Sequence, residues 1–423
     1  MSDARTVLER CDELAAISAL PDGLIERTYL TVEHKAANEL AASWMSQAGL
    51  ATWQDAAGNL CGRLEGEHPD LPALILGSHL DTVPQAGRYD GILGVMIALE
   101  VAARVRADGP TLPFALEVVG FGDEEGTRFG ATLLGSRAMA GTWDPAWWQL
   151  ADGDGVSLRE AFTAFGLDPD AIGSAARRPQ DVVGYLEAHI EQGPILEERG
   201  RALGLVSSIA GARRMLVTIT GRAAHAGTPY AARRDALAGA SEAILAIESI
   251  APGRQLIATV GRVSATPGAV NVVAGSAVFS LDVRAASDEV RDAGLETLLA
   301  DTGQICARRG LSMRVEHTHA AETVHCDPVM SEAFAHGIAA GGGLPLSLFS
   351  PAGHDAMAMA ALTRVGMLFI RCAGGVSHNP EESVLEEDVA AAIDALHLAV
   401  LHLAATYSTG AGSVDRKMPA WIM

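Results

Sequence analysis

No stretch of this sequence reaches the roughly 18 uninterrupted apolar residues of a membrane span. The opening residues, MSDARTVLERCDELAAISAL, are charged and amphipathic and lack the apolar stretch of a signal peptide. Cysteine is scarce: Cys11, Cys61, Cys306, Cys326 and Cys372 are odd in number, scattered and never in CxxC spacing. They read as reduced thiols in a cytoplasmic protein. Basic residues are in deficit, with 31 Lys and Arg against 52 Asp and Glu and a formal net charge of −21. That balance argues against nucleic acid or an anionic membrane as a partner. Repeats and low-complexity tracts are absent. What remains is globular, 49% hydrophobic and 20% charged, and 423 residues exceed one ordinary core, so two domains are expected.

The first half alternates strands and helices. Ala36–Ala48 reads as a helix ending at Gly49, Ala73–Gly77 as a strand, and Gly91–Val105 as a helix with Asp90 as its N-cap. Phe114–Phe121 and Gly184–Ile190 are further strands. The alternation predicts an α/β catalytic domain with a central sheet covered by helices and chemistry at the carboxyl ends of the strands. A different order begins near Gly211. Strands are expected at Met215–Thr220, Leu256–Val263, Ala277–Arg284 and Leu311–His319, with helices at Asp235–Ile250 and Ser287–Arg309. This β-α-β-β-α-β order is a ferredoxin-like unit, inserted as residues 211–327 between 1–210 and 328–423. After Asp327 the α/β order returns and ends in a helix from about Glu386 to Tyr407, followed by a loosely held tail with Trp421.

Polar residues gather where these strands end. His79 closes the strand before GSHLDTVPQAGRYDG, and Asp81, two residues on, points the same way in extended chain. An acid there can accept the second ring N–H of the imidazole and fix its tautomer, the usual support of a metal-bound histidine. Asp90 follows a Gly-containing loop that can fold back on the same point. The next strand ends in GFGDEEG, where Glu124 and Glu125 cannot both face one way: one can bind a metal while the other faces substrate. Like charges so close need a cation or a raised pKa. His189 lies in YLEAHIEQG and His378 in the Gly/Pro loop GGVSHNPEE. His79, Asp90, Glu125, His189 and His378 form a mixed N/O set suited to two first-row divalent ions bridged by one carboxylate. His354, in SPAGHDA, belongs beside the site and off the metals. The remaining histidines have structural or surface settings, including His317 and His319, which alternate on a strand.

GSHLDTVP…GRYDG, GDEEG, EAHIEQGP, GRAAHAG, AVNVVAG…LDVR, AGHDA and SHNPEE resemble, in order and over nearly the whole chain, the aminoacylase/carboxypeptidase-G clan of dinuclear amidohydrolases. His189, where peptidases and aminoacylases of the clan usually carry a carboxylate, resembles the hydantoinase/carbamoylase branch. The resemblance implies that His79 and His189 hold one metal, Glu125 and His378 the other, that Asp90 bridges them, and that Glu124 is the base. It implies substrate-binding positions at Gln192, His225, Asn271, Arg284 and Gly353, and a homodimer formed through the inserted lid domain. Two departures touch the substrate side: HAGTPYAARRDA is one residue shorter than the common pattern and carries Tyr230, and SPAGHDA has Pro351 where Gly is common.

The expected activity is hydrolysis of the C–N bond of a linear ureido acid, first an N-carbamoyl-L-amino acid, giving the amino acid, ammonia and carbon dioxide. Glu124 is the catalytic acid/base, with Asp81 in support. The cofactors are two divalent ions, zinc first, with manganese, cobalt and nickel fitting the same donors. Alternatives are allantoate or ureidoglycolate as substrate, a peptidase or aminoacylase, and a non-catalytic relative that only binds small molecules.

Overall fold

The structure is a computed structural model that describes residues 3–108 and 110–408; the tail with Trp421 lies outside them. The chain divides into two compact units. The first comprises the residues up to Ser207, Cys326–Leu348 and those from His354, and the second is Ser208–His325 with Phe349–Gly353.

In the first unit, apolar Ala4, Val7, Cys11 and Leu14 recur at helical spacing and are buried along α1 (Asp3–Ala15). The hydroxyl of Thr31 accepts the N–H of His34 and starts α2 (Val32–Gln47), four residues earlier than the sequence pattern suggests. Then come β1 (Ala51–Gln54), β2 (Leu60–Leu64), β3 (Ala73–His79), α3 (Ile92–Asp108) and β4 (Ala115–Phe121). Short helices α4 (Leu134–Met139) and α5 (Leu158–Phe165) follow, the second opened by a reciprocal cap between Ser157 and Glu160. The stretch closes with β5 (Val182–Ile190), α6 (Ile195–Glu198) and β6 (Leu203–Ile209).

The second unit contains β7 (Ala212–Thr220), β8 (Ala224–His225), α7 (Ala236–Ile250), β9 (Ile257–Thr259), β10 (Val263–Thr266), β11 (Val272–Val273), β12 (Ser276–Arg284), α8 (Asp288–Arg308), β13 (Ser312–Ala320) and β14 (Val324–His325). Its main sheet runs β10-β12-β7-β13, antiparallel throughout, with β9 on the same side of β12 as β10. The strand expected over Leu256–Val263 is therefore in two pieces. Thr259 faces Asp282 and Val263 faces Phe279, so one extra residue bulges between them, beside Gly261. Along β12, Phe279, Leu281 and Val283 are buried and Ser280, Asp282 and Arg284 are half-buried, as period-two alternation predicts. The buried face joins Met215, Val217 and Ile219 of β7 and apolar residues of α7 and α8 in one core.

The chain returns to the first unit through α9 (Pro328–Ala340) and β15 (Ser347–Ser350), then α10 (Asp355–Met359), β16 (Val365–Ile370) and α11 (Glu386–Ser408). Phe349–Gly353 packs with the second unit, whereas the sequence reading kept 328–423 whole. The Ala210 N–H donates to the Ser350 carbonyl, and Arg284 Nη1 donates to that of Pro351 at 2.6 Å. The first unit's sheet has the order β1-β2-β4-β3-β5-β16-β6, with β15 also paired to β6. β4, β3, β5 and β16 are mutually parallel, while β1, β2 and β6 run antiparallel to their neighbours, so the sheet is mixed. Helices cover it, and β3, β4 and β16 are buried at every position. α11 is long and apolar enough by composition to cross a membrane, but half of that stretch is buried, against α9, α3 and α1 in the core.

Candidate metal centre

Because β4, β3, β5 and β16 are parallel, their carboxyl ends open along one edge of the sheet. His79 is the last residue of β3 and Phe121, its neighbour in register, the last of β4; His189 is the penultimate residue of β5 and pairs with Phe369 of β16. The loop after β3 brings Asp90 to the start of α3. There Gly91 has φ +73° and packs so closely that a Cβ would lie 2.3 Å from His79 Nε2. β4 runs out through Gly122 and Asp123 to Glu124 and Glu125. His378, with φ +53°, sits in the loop that follows β16.

His79 Nδ1 is 3.0 Å from the Asp81 carbonyl and His189 Nδ1 is 2.9 Å from that of Ile190. Carbonyls only accept, so each ring carries a proton on Nδ1 and turns Nε2 inward. Both Nε2 atoms face one oxygen of Asp90: Oδ1 lies 3.1 Å from His189 and 3.8 Å from His79. The other oxygen, Oδ2, lies 2.9 Å from His378 Nε2, which is 3.3 Å from Glu125 Oε1. Donor atoms of His79, Asp90 and His189 lie within 4.8 Å of one another, as do those of Asp90, Glu125 and His378, and those of His79, Glu124 and Glu125. Asp90 thus faces two donor sets with different oxygens. These are nitrogen and carboxylate donors of the type first-row divalent ions take, and the residues fit two such ions.

The electrostatics describe a pocket short of positive charge. Burial opposes ionisation of Asp90, but hydrogen bonds from His189 and His378 outweigh it and hold the acid well below its usual range. Hydrogen bonds to Asp90 and Glu125 push His378 up to about 10. Burial lowers His189, yet the Asp90 hydrogen bond and charge carry it up to about 9. Glu124 is raised well above its usual value by burial, then by Glu125, Asp355, Asp81 and Asp90.

Asp81 requires a correction. Its carbonyl, and not its carboxylate, meets the His79 ring; carboxylate Oδ1 stands 3.7 Å from Nδ1. The carboxylate instead accepts the backbone N–H of Glu124 at 3.1 Å and of Glu125 at 3.2 Å, and so braces the acidic pair. His354 is buried beside His189, with ring centroids 4.5 Å apart, and burial keeps it neutral. Gln192 belongs to the first unit and donates to Asp90 Oδ2 at 3.0 Å. The other expected substrate residues, His225, Asn271, Arg284 and Gly353, belong to the second unit. His225 and Val272 pair in the ribbon of β8 and β11, where the Asn271 carbonyl accepts the Ala226 N–H. His225 Nδ1 accepts the N–H of Gly227 at 3.0 Å, which leaves the ring proton on Nε2. Arg284 holds Asp282 through Nε at 2.9 Å and Nη2 at 3.1 Å, with Nη1 on the Pro351 carbonyl.

Among the residues that sequence reasoning passed over are three that brace the centre. Arg27 is fully buried and donates through Nε to the Leu80 carbonyl at 2.8 Å, between His79 and Asp81. Glu382 and Ser377 flank His378 and reach Asp90 and its backbone. The last two lie inside the SHNPEE motif; nothing local marks Arg27.

The sequence profile of peptidase family M20/M25/M40 matches residues 75–402. The "N-carbamoyl-L-amino acid amidohydrolase" of Geobacillus stearothermophilus is 39% identical over 406 residues, covering 96% of this chain and 99% of that protein. The "Allantoate deiminase" of Arabidopsis thaliana is 40% identical over 417 residues, covering 90% and 79%. A solved amidase of the hydantoinase/carbamoylase family from Burkholderia multivorans superposes with a TM-score of 0.87 at 32% identity, covering 95% of this chain and 98% of that one. These likenesses take in the loops that carry the donor set as well as the sheet beneath them, and the chain belongs to peptidase family M20/M25/M40.

Proposed function

We propose that this chain is a metal-dependent amidase that hydrolyses the C–N bond of a linear ureido acid, with an N-carbamoyl-L-amino acid as its substrate. The observation that carries this reading is Asp90, whose two oxygens face His79 with His189 and His378 with Glu125. The near end-to-end match to a carbamoylase supports the choice of substrate. A comparable match to an allantoate deiminase favours allantoate as the second reading.

His79 and His189 would hold one ion, Glu125 and His378 the other, and Asp90 both. Divalent ions bound there supply Lewis acidity, which eases deprotonation of water and polarises a carbonyl. Glu124 moves the proton: its carboxylate takes one from water and passes it to the leaving nitrogen. Burial and then anionic neighbours raise this acid, and cations bound among those neighbours would lower it again, which suits it to both halves of the transfer. Asp81 holds the backbone of Glu124 in place. His225 offers Nε2–H to an oxygen that gains charge, with Asn271 beside it. Three of the five Arg284 N–H groups are engaged, and the other two are available to a substrate carboxylate, with Gln192 and the Gly353 backbone completing the contacts. The second unit is read as a ferredoxin-like lid that also pairs two subunits, supported by its β-α-β-β-α-β order and sheet arrangement. A cytoplasmic location agrees with five unpaired, buried cysteines.

The test is a turnover panel of N-carbamoyl amino acids, allantoate, ureidoglycolate and dipeptides, with metal content measured on the same sample. Hydrolysis of carbamoyl amino acids, abolished by chelation and restored by divalent ions, is expected. Full turnover after exhaustive chelation, or turnover of dipeptides alone, rejects the reading.

A further inference from the structure

The loop that presents Asp90 is held from far along the chain. Glu382 is buried. Its Oε1 accepts the backbone N–H of Tyr89 at 2.8 Å and of Asp90 at 3.2 Å. Its Oε2 accepts the Ser377 hydroxyl at 2.9 Å, and that hydroxyl lies 3.3 Å from Asp90 Oδ2. Gly87 makes room for this contact: a Cβ there would fall 2.2 Å from Glu382 Cδ. Charge alone does not place an acid here, because Glu382 and Asp90 repel each other at close range. What the position offers is an acceptor geometry: one oxygen takes two successive backbone N–H groups of the turn at Asp90, and the other takes the Ser377 hydroxyl.

We infer that Glu382 is a positioning residue for the metal centre. It fixes the peptide at Tyr89–Asp90, so that Asp90 shows Oδ1 to His79 and His189 and Oδ2 to His378 and Glu125. It also ties this loop, through Ser377, to the segment that carries His378. The inference rests on Asp90 being the shared ligand. A carboxylate that serves two centres must be held in two directions at once, and its contacts from Gln192 and Ser377 both fall on Oδ2, which leaves the direction of Oδ1 to the backbone.

The test is competitive-chelator titration with zinc, and with cobalt(II) followed by its visible spectrum, on the full-length chain. Wild type is expected to hold two ions. Glu382→Ala should bind them about 10–100-fold more weakly. Glu382→Gln keeps an acceptor for the two N–H groups and should stay near wild type. Gly87→Ala, which displaces Glu382 without altering it, should reproduce the alanine phenotype and remains informative if Glu382→Ala does not fold. With zinc saturating, kcat should recover and KM should match wild type. Unchanged affinity and cobalt spectra in Glu382→Ala and Gly87→Ala, with wild type holding two ions, overturn the inference and leave Asp90 as shared ligand. Equal loss in the Gln and Ala variants assigns the effect to charge and also overturns it. A wild-type chain that binds neither ion removes the reading of Asp90, and the inference with it.

Discussion

Two adjacent acids leave β4 and meet different surroundings. Glu125 has an oxygen 3.3 Å from the His378 imidazole, whereas Glu124 is buried among other carboxylates. In the proposed mechanism the neighbours set the division of labour, since both side chains have the same chemistry. Glu124→Gln keeps size and hydrogen bonding but cannot carry a proton, so turnover should fall by about 10² or more while metal content stays near wild type. Turnover and metal analysis on one preparation check this. Loss of metal from Glu124→Gln, with Glu125→Gln remaining loaded, would show that the two roles are exchanged. Asp81 marks what a sequence withholds at this scale. Its spacing from His79 pointed to the right neighbourhood, yet which of its oxygens meets the ring depends on how the chain turns after β3, and no residue type encodes that turn.

At the scale of elements, the junction between the loop and α3 is closely packed against the centre. Gly91 is left-handed and abuts the His79 ring. Alanine there costs roughly 1–2 kcal/mol for the backbone alone and pushes the imidazole aside as well. Gly91→Ala should lower the melting temperature and deplete metal, read by thermal melts with and without chelator; wild-type values for both would mean that the loop relaxes around the new methyl. The strands that carry the donors were legible because each is a short apolar run ending in polar residues, and β12 because its alternation is complete. The break between β9 and β10 was not, since a single extra residue leaves no periodic trace. Nor was the order of the sheet: β16 lies between β5 and β6, and pairings formed across the whole second unit leave no local signal.

For the whole molecule, the two units divide the expected site residues between them: donors and base in the first, His225, Asn271, Arg284 and Gly353 in the second. If subunits pair through the second unit and His225 serves its partner, mixing His225→Ala with Glu124→Gln subunits restores turnover that neither has alone. No recovery, with exchange demonstrated by tagged subunits, places His225 in its own chain's site. The sheet order has a further consequence for how the protein is made. β6 leaves the ribosome before the second unit, α9, β15 and β16, yet β15 and β16 are its partners in the first unit's sheet. At about 5–20 residues per second this strand waits roughly 10–30 s with the backbone on its edges unpaired by its final partners. During that time its open edges can pair with those of other nascent chains on the same message, so the order of synthesis puts the exposure to wrong pairing at this one short segment.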